Sequence, residues 1–161
     1  MLIKFELNGN KVSVESAPFK KLVHILRIDF GLTGTKFGCG SGQCGSCMAF
    51  MNGEIINTCL IPAFRIQAAR ITTIEGFAGS REYTQIETAF ATCGVSLCGF
   101  CSPGIIMATE ALLHNSSSPA EQEIKEALAG NSCRCIGYTS LISGIREAAR
   151  LRRKSNYARK R

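Results

Sequence analysis

No stretch of this 161-residue chain approaches the roughly 18 uninterrupted apolar residues of a membrane-spanning helix, so no membrane partner is expected. The opening "MLIKFELNGNKVSVES" alternates apolar and polar residues where a signal peptide would have an apolar core, and a cytoplasmic location is expected. Histidine is scarce: His24 falls in an amphipathic helical pattern and His114 at a helix end, places that suit surface or capping residues better than catalysts. No Gly-x-Gly-x-x-Gly follows a strand, which excludes a flavin or dinucleotide fingerprint. Internal repeats and low-complexity tracts are absent, and with 45% hydrophobic and 19% charged residues the composition is that of a folded globular chain. Net charge is missing too from the first 145 residues. The whole +7 comes from "REAARLRRKSNYARKR" (146–161), where Arg146, Arg150, Arg152, Arg153, Lys154, Arg159, Lys160 and Arg161 face a single Glu147. Such a run is expected to be a solvated helix end whose cations suit the helix dipole, and no nucleic-acid partner is assigned to it.

What the chain has in excess is cysteine, nine in all: Cys39, Cys44, Cys47, Cys59, Cys93, Cys98, Cys101, Cys133 and Cys135. A disulfide framework would strand one thiol of an odd number and suits neither a reducing compartment nor a chain without a secretory signal. Structural zinc is the stronger rival, because C-x2-C pairs are common zinc ligands. Spacing separates the two metals in "CGSGQCGSC". Cys39, Cys44 and Cys47 form C-x4-C-x2-C, which with a remote fourth cysteine is the plant-type pattern for a 2Fe-2S cluster. A loop around two irons must bend sharply and turn amide N–H groups toward sulfur, and Gly38, Gly40, Gly42 and Gly45 permit that. Cys59 is the fourth candidate, brought back by a hairpin expected at Asn52-Gly53.

The later cysteines leave two choices. Cys93, Cys98 and Cys101 repeat the C-x4-C-x2-C spacing, which on its own could recruit Cys93 and leave Cys133 or Cys135 spare. Local context favours Cys98, Cys101, Cys133 and Cys135. Thr84 and Glu87 have the spacing of a capping box, and Ile86, Phe90 and Cys93 recur at helical spacing, placing Cys93 on an apolar face as a small core residue.

Two halves are expected. In the first, "LIKFEL" and "KVSVES" flank a turn at Asn8-Gly9-Asn10, "PFKKLVHILRIDFG" reads as a helix with Pro18 in its first turn, and "RITTIE" (70–75) is a final strand. A small mixed sheet wrapped on one helix suits the β-grasp of ferredoxins. After Gly76 the pattern becomes helical: one helix from Thr84, one from Ser102-Pro103, one from a capping box at Ser118 and Glu121 that stops at Gly130, and one beginning at "YTSLISG". Four helices with short loops make a bundle. The fold class is therefore α+β, with a ferredoxin-like domain at 1–76 and a helical domain at 77–161, joined by a linker at "EGFAGSRE" (75–82).

"GCGSGQCGSC" with Cys59, "CGFCSPGIIM" and "GNSCRCIGY" closely resemble the iron-sulfur subunit of the molybdenum hydroxylases, the family of xanthine dehydrogenase, aldehyde oxidoreductase and aerobic-type carbon monoxide dehydrogenase. The resemblance spans about residues 2–150. It implies that Cys39, Cys44, Cys47 and Cys59 ligate a 2Fe-2S cluster facing a flavin subunit, and that Cys98, Cys101, Cys133 and Cys135 ligate a second one facing the molybdenum cofactor. A pterin contact is implied near Cys135. A second one belongs to the residue before Cys98, where the family carries Gln; Leu97 here can neither donate nor accept a side-chain hydrogen bond. Ser132 stands where Leu is usual and Ile136 where Thr is usual, changes that retune the second cluster's surroundings and remove no ligand.

The resemblance also implies the chemistry. A molybdenum centre in a large subunit hydroxylates a substrate carbon with oxygen from water, and this chain passes the electrons singly to FAD on a medium subunit, in a heterotrimer or its dimer. The chain would be the electron-transfer part of an oxidoreductase, with no catalytic residue and no substrate site of its own. A xanthine dehydrogenase-like purine hydroxylase is the first expectation for the complex; nicotinate, aldehyde or carbon monoxide dehydrogenases come next. A free ferredoxin and a zinc-bound structural or nucleic-acid module are the rivals from other classes.

Overall fold

A computed structural model describes residues 1–159, with side chains as far as Asn156. Its first half is a five-stranded mixed sheet in the order β2-β1-β5-β3-β4. Strands β1 (Leu2–Leu7) and β2 (Asn10–Glu15) form the expected hairpin, closing through Leu7 opposite Asn10. Asn8 and Gly9 make the turn with φ of 51° and 83°, left-handed values that asparagine and glycine tolerate best. The same chemistry recurs at Asn52 and Gly53 (54° and 90°) between β3 (Met48–Met51) and β4 (Glu54–Asn57). β5 (Arg70–Thr72) lies parallel to β1 and antiparallel to β3, joining the hairpins into one sheet.

Alternation along β1 buries Ile3, Phe5 and Leu7 on one face. They pack on Leu22, Ile25 and Leu26 of a helical segment and on Ala63 and Ile66 of a 3-10 turn (Ala63–Ile66). That helical segment starts later than the proline signal suggested. α1 (Leu22–His24) continues as a π-helical turn, Ile25–Asp29, while residues 18–21 stay out of the helix: Pro18 and Phe19 form a turn closed by the Lys20 amide on the Ala17 carbonyl, Lys21 bridges Pro62, and the amides of Ala63 and Phe64 donate to the carbonyls of Lys20 and Pro18. The β-bridge outcompetes the helix start.

The second half contains α2 (Ile74–Phe77), α3 (Arg81–Thr92), α4 (Ser102–Asn115), α5 (Glu121–Leu128) and α6 (Tyr138–Arg159), of which α3 to α6 are the expected four. Two starts moved. α3 is capped by Ser80, whose side chain accepts from the Tyr83 amide at 3.0 Å, and Thr84 lies inside the helix with its hydroxyl bonded back to the Ser80 carbonyl. α5 begins after Ala120, with the Glu123 carboxylate accepting from the Ala120 amide at 2.7 Å in place of the Ser118–Glu121 box. The segment expected as a linker is packed structure: the strand at 70–75 stops at Thr72, and Ile74 and Phe77 enter the helical core.

That core joins Ile86, Phe90, Ile105, Met107, Ile124, Leu128, Leu141 and Ile145, and Met48, Phe50 and Ile55 of the sheet pack against it. The β3–β4 hairpin is thus shared by both halves. Along the basic end of α6, Arg146, Arg150, Arg153 and Lys154 are exposed and Arg152 alone is withdrawn from solvent among the described basic side chains. Arg146 pairs with Glu121, Arg150 with Glu147 and Arg152 with Glu110, and Arg153 donates to the Ser117 carbonyl. Arg159, Lys160 and Arg161 lie outside the described side chains. Among the described residues no helix is long and apolar enough to cross a membrane.

Candidate metal centres

Three of the first four thiols ride on the glycine-rich loop between α1 and β3, and Cys59 follows β4. Gly40, Gly42 and Gly45 have φ of 69°, 78° and 71°, which turn successive amides inward. The amides of Ser41, Gln43 and Cys44 all donate to Cys39 Sγ, at 3.4, 3.2 and 3.4 Å, and the Cys39 amide donates to Cys44 Sγ at 3.4 Å. Ser46 Oγ sits 3.1 Å from Cys44 Sγ. These donors, the Ser41 amide foremost, hold the Cys39 thiol down at about 5.

Cys47 and Cys59 form the opposite side of the cup. Both are buried, packed together with Val23 of α1. Burial, helped by the neighbouring Cys47 sulfur, pushes the Cys59 thiol up to about 11, and the Gly42 amide works against that rise. The Thr58 hydroxyl donates to the Cys47 carbonyl at 2.8 Å, and Asn57 Nδ2 reaches the Gly42 carbonyl at 3.3 Å, so β4 braces the loop from behind. One half of the site is fixed to the sheet and the other is an exposed loop.

The second set is assembled from helix ends. Cys98 and Cys101 lead into α4, with Cys101 as its N-cap residue, and Cys133 and Cys135 lie between α5 and α6. Cys101 lies against Cys133, and Cys135 lies against both Cys98 and Cys133. Amides of Phe100 and Cys101 lower the Cys98 thiol, burial pushes Cys101 up to about 11, and the adjacent Cys98 raises Cys135. Cys93 is not one of these neighbours. It caps the C-terminus of α3, half-buried and outside the helical core, because the helix ends there and Val95 packs on the core in its place.

The chemistry of the donors fits two-iron clusters. Neighbouring thiols lie together in each set, and backbone N–H groups point at sulfur in both, as electron-rich thiolates and sulfides require. Among the described residues no three His, Cys, Asp or Glu are arranged to enclose a single metal ion. The thiols are gripped in pairs, Cys39 with Cys44 and Cys47 with Cys59, an arrangement suited to a wider object than one tetrahedral zinc.

The two sets abut. The Ser132 amide donates to the Cys44 carbonyl at 3.0 Å, Cys101 Sγ lies 3.5 Å from the Ser132 carbonyl, and Asn131 Nδ2 reaches Met48 Sδ at 3.5 Å. Sequence reasoning missed Asn131, Ser132 and Gly104 as parts of this junction; their only signal was adjacency to the cysteine motifs. Apolar side chains rim both places: Phe37 and Leu60 beside the first loop, and Phe100 and Tyr138 beside the second, are 45–50% exposed. A hollow of about 630 Å³ opens next to the second set, lined by Cys101, Cys133, Arg134, Ile136 and Tyr138. Leu97 is half-buried against the helical core. His24 rests its ring on Phe37, centroids 4.8 Å apart, and His114 is exposed in the last turn of α4, so neither joins a thiol set.

Residues 5–67 match the family of 2Fe-2S iron-sulfur cluster binding domains, and residues 73–146 match that of 2Fe-2S binding domains. A probable xanthine dehydrogenase subunit of Bacillus subtilis (strain 168) is 40% identical over 157 residues, covering 98% of this chain and 88% of its own. The nicotinate dehydrogenase small FeS subunit of Eubacterium barkeri is 38% identical over 146 residues, covering 91% and 93%. Among solved structures, quinoline 2-oxidoreductase from Pseudomonas putida 86 superposes with a TM-score of 0.87 at 32% identity over 96% of both chains. With two adjoining four-thiol cups, a mixed sheet and a helical bundle in that order, the chain belongs to the 2Fe-2S iron-sulfur subunits of the molybdenum hydroxylase family.

Proposed function

We propose that this chain conducts electrons from a molybdenum cofactor on a large partner subunit to FAD on a medium one. Cys98, Cys101, Cys133 and Cys135 would hold the cluster near molybdenum, and Cys39, Cys44, Cys47 and Cys59 the cluster near flavin. The observation that carries this reading is the joining of two four-thiol sets by the Cys44–Ser132 backbone bond. A carrier working alone needs one such set. When bound, the clusters supply one-electron steps that split the electron pair of a hydroxylation. The protein supplies N–H donors to sulfur in both cups and keeps Cys47 and Cys59 of the first one buried. The exposed rims around Phe37 and Leu60 and around Phe100 and Tyr138 are where the two partners would dock, and Cys135 would be the thiol that meets the pterin.

We keep two domains, 1–76 and 77–161, a division a few residues beyond the last strand at Thr72, with α2 before it packing on the bundle. A heterotrimer or its dimer, working in the cytoplasm, accommodates nine cysteines that stay reduced. For the complex we favour an N-heteroaromatic substrate and a xanthine dehydrogenase-like purine hydroxylase first, since the relatives above are named for xanthine, nicotinate and quinoline.

The test is iron, zinc and acid-labile sulfide per chain after anaerobic purification, with molybdenum and flavin measured on co-purifying subunits. Two 2Fe-2S domains predict four irons and four sulfides in wild type and in Cys93→Ser. Loss of two irons in Cys93→Ser, or zinc without sulfide, would overturn the ligand assignment.

A further inference from the structure

Each half presents a glycine close to its thiols to the other half, Gly45 from a loop and Gly104 from a helix, and neither has room for a side chain. Gly45 directly follows Cys44. A Cβ there would meet the Gly130 carbonyl oxygen and stand 2.5 Å from Asn131 Nδ2. Gly104 lies in the first turn of α4, whose N-cap is Cys101. A Cβ there would run into the Gly45 carbonyl, with its carbon at 3.0 Å and its oxygen nearer, and would stand 3.2 Å from Ser46 Cα. The obstacles at Gly104 are backbone, which cannot swing aside as a flexible side chain would. Gly130, in the same junction, differs: its nearest neighbour would be Met48 Cε at 3.5 Å, an ordinary contact.

We propose that the Gly45–Gly104 contact sets the spacing between the two iron-sulfur centres, making Gly104 a positioning residue for electron transfer within the chain. The inference rests on the reading that both thiol sets hold clusters. Two features convert contact into spacing. Cys44 and Gly45 are consecutive, so the carbonyl that Gly104 abuts belongs to the loop that aims Cys44. Gly104 and Cys101 share one helical turn, so a displacement of that turn carries Cys101 with it. A carbon needs roughly 3.5 Å from its neighbour, so a methyl at Gly104 would drive the loops apart by about 1 Å. With clusters bound, one electron would cross the gap, a ferrous ion on the donor side being oxidised as a ferric ion on the acceptor side is reduced, and the rate of such a transfer would depend on distance as well as driving force.

The experiment is electron paramagnetic resonance of the dithionite-reduced native complex, cold enough to resolve the splitting that one reduced centre imposes on the other. Wild type, Gly104→Ala and Gly130→Ala are compared at measured iron and sulfide content. The expected result is a narrowed splitting in Gly104→Ala and a wild-type splitting in Gly130→Ala; equal splittings in all three would overturn the proposal. Wild type without iron-sulfur signals would instead remove the reading on which it rests. Should Gly104→Ala load poorly, amide hydrogen exchange decides: selective loss of protection at the Ser132 amide, with α6 still protected, supports the spacing role. Unchanged protection at Ser132, or a uniform loss across α6, would overturn it.

Discussion

The Ser132 amide donates to the Cys44 carbonyl across 3.0 Å, tying the neighbour of Cys133 to a thiol-bearing residue of the other half. The bond is made by backbone alone. Ser132→Ala is therefore expected to change stability by less than about 0.5 kcal/mol. Ser132→Pro removes the donor and should cost at least about 1 kcal/mol, more if the Cys44 carbonyl stays dry. Urea unfolding of both variants checks this, and equal losses would show that the side chain matters more than the bond.

In the cluster-free chain the thiols should react in a set order, because the thiolate is the nucleophile. With Cys39 held down to about 5 and Cys59 and Cys101 pushed up to about 11, iodoacetamide at neutral pH should label Cys39 first and leave the other two for alkaline conditions. Peptide mass spectrometry over a pH series reads the order, and loading with iron and sulfide should abolish the Cys39 reaction.

Glu110 gives stability a pH dependence. Burial raises its carboxyl, Arg152 at 2.6 Å pulls it partly back, Glu82 adds to the rise and His114 opposes it. With the folded value above the unfolded one, the folded state binds the extra proton, so this group's contribution falls as pH rises through that window. Arg152→Ala should cost about 2–4 kcal/mol near neutrality and steepen the fall as pH rises above the ordinary carboxylate range. Adding Glu110→Gln should recover part of the loss and flatten the slope. Denaturant midpoints across that rise in pH provide the comparison.

Asn8 is a clamp between the first hairpin and the entry to the bundle. Its Oδ1 accepts from the Thr73 amide at 2.9 Å, its Nδ2 donates to Thr73 Oγ1 at 3.0 Å, and Thr73 is fully buried. Asn8→Gly keeps the left-handed turn at φ 51° and removes only the clamp. We expect a loss of about 1–3 kcal/mol in thermal unfolding, the cost of stranding a buried donor. A neutral result would assign the residue to the turn alone.

Local chemistry made much of the fold legible. Asn-Gly turns marked both hairpins, and Ser102-Pro103 marked the start of α4. Spacing grouped the first thiols, while the second group needed local context, since spacing alone left Cys93 open. The misses share a cause, which is competition from distant partners. Residues 18–21 leave the helical pattern because residues 62–64 pair with them, and β5 stops at Thr72 because Asn8 captures the Thr73 amide. Ser80 capped α3 without an acidic partner three residues on, so the box pattern pointed to Thr84. Arg152 read as part of a basic run until the fold set it against Glu110. The junction of the halves left only glycines in the sequence, since carbonyl and amide groups look alike at every position.

The shared seam limits how far this protein can be treated as modular. Each half has its own core, yet the sheet lends Met48, Phe50 and Ile55 to the bundle, and the first loop shows its bare Gly45 backbone to the second. A sheet half transplanted on its own would keep its four thiols and lose the cover over that loop. Recombining halves from different relatives would preserve both cysteine sets and still produce a mismatched circuit wherever the incoming helix brought more than a hydrogen to face Gly45.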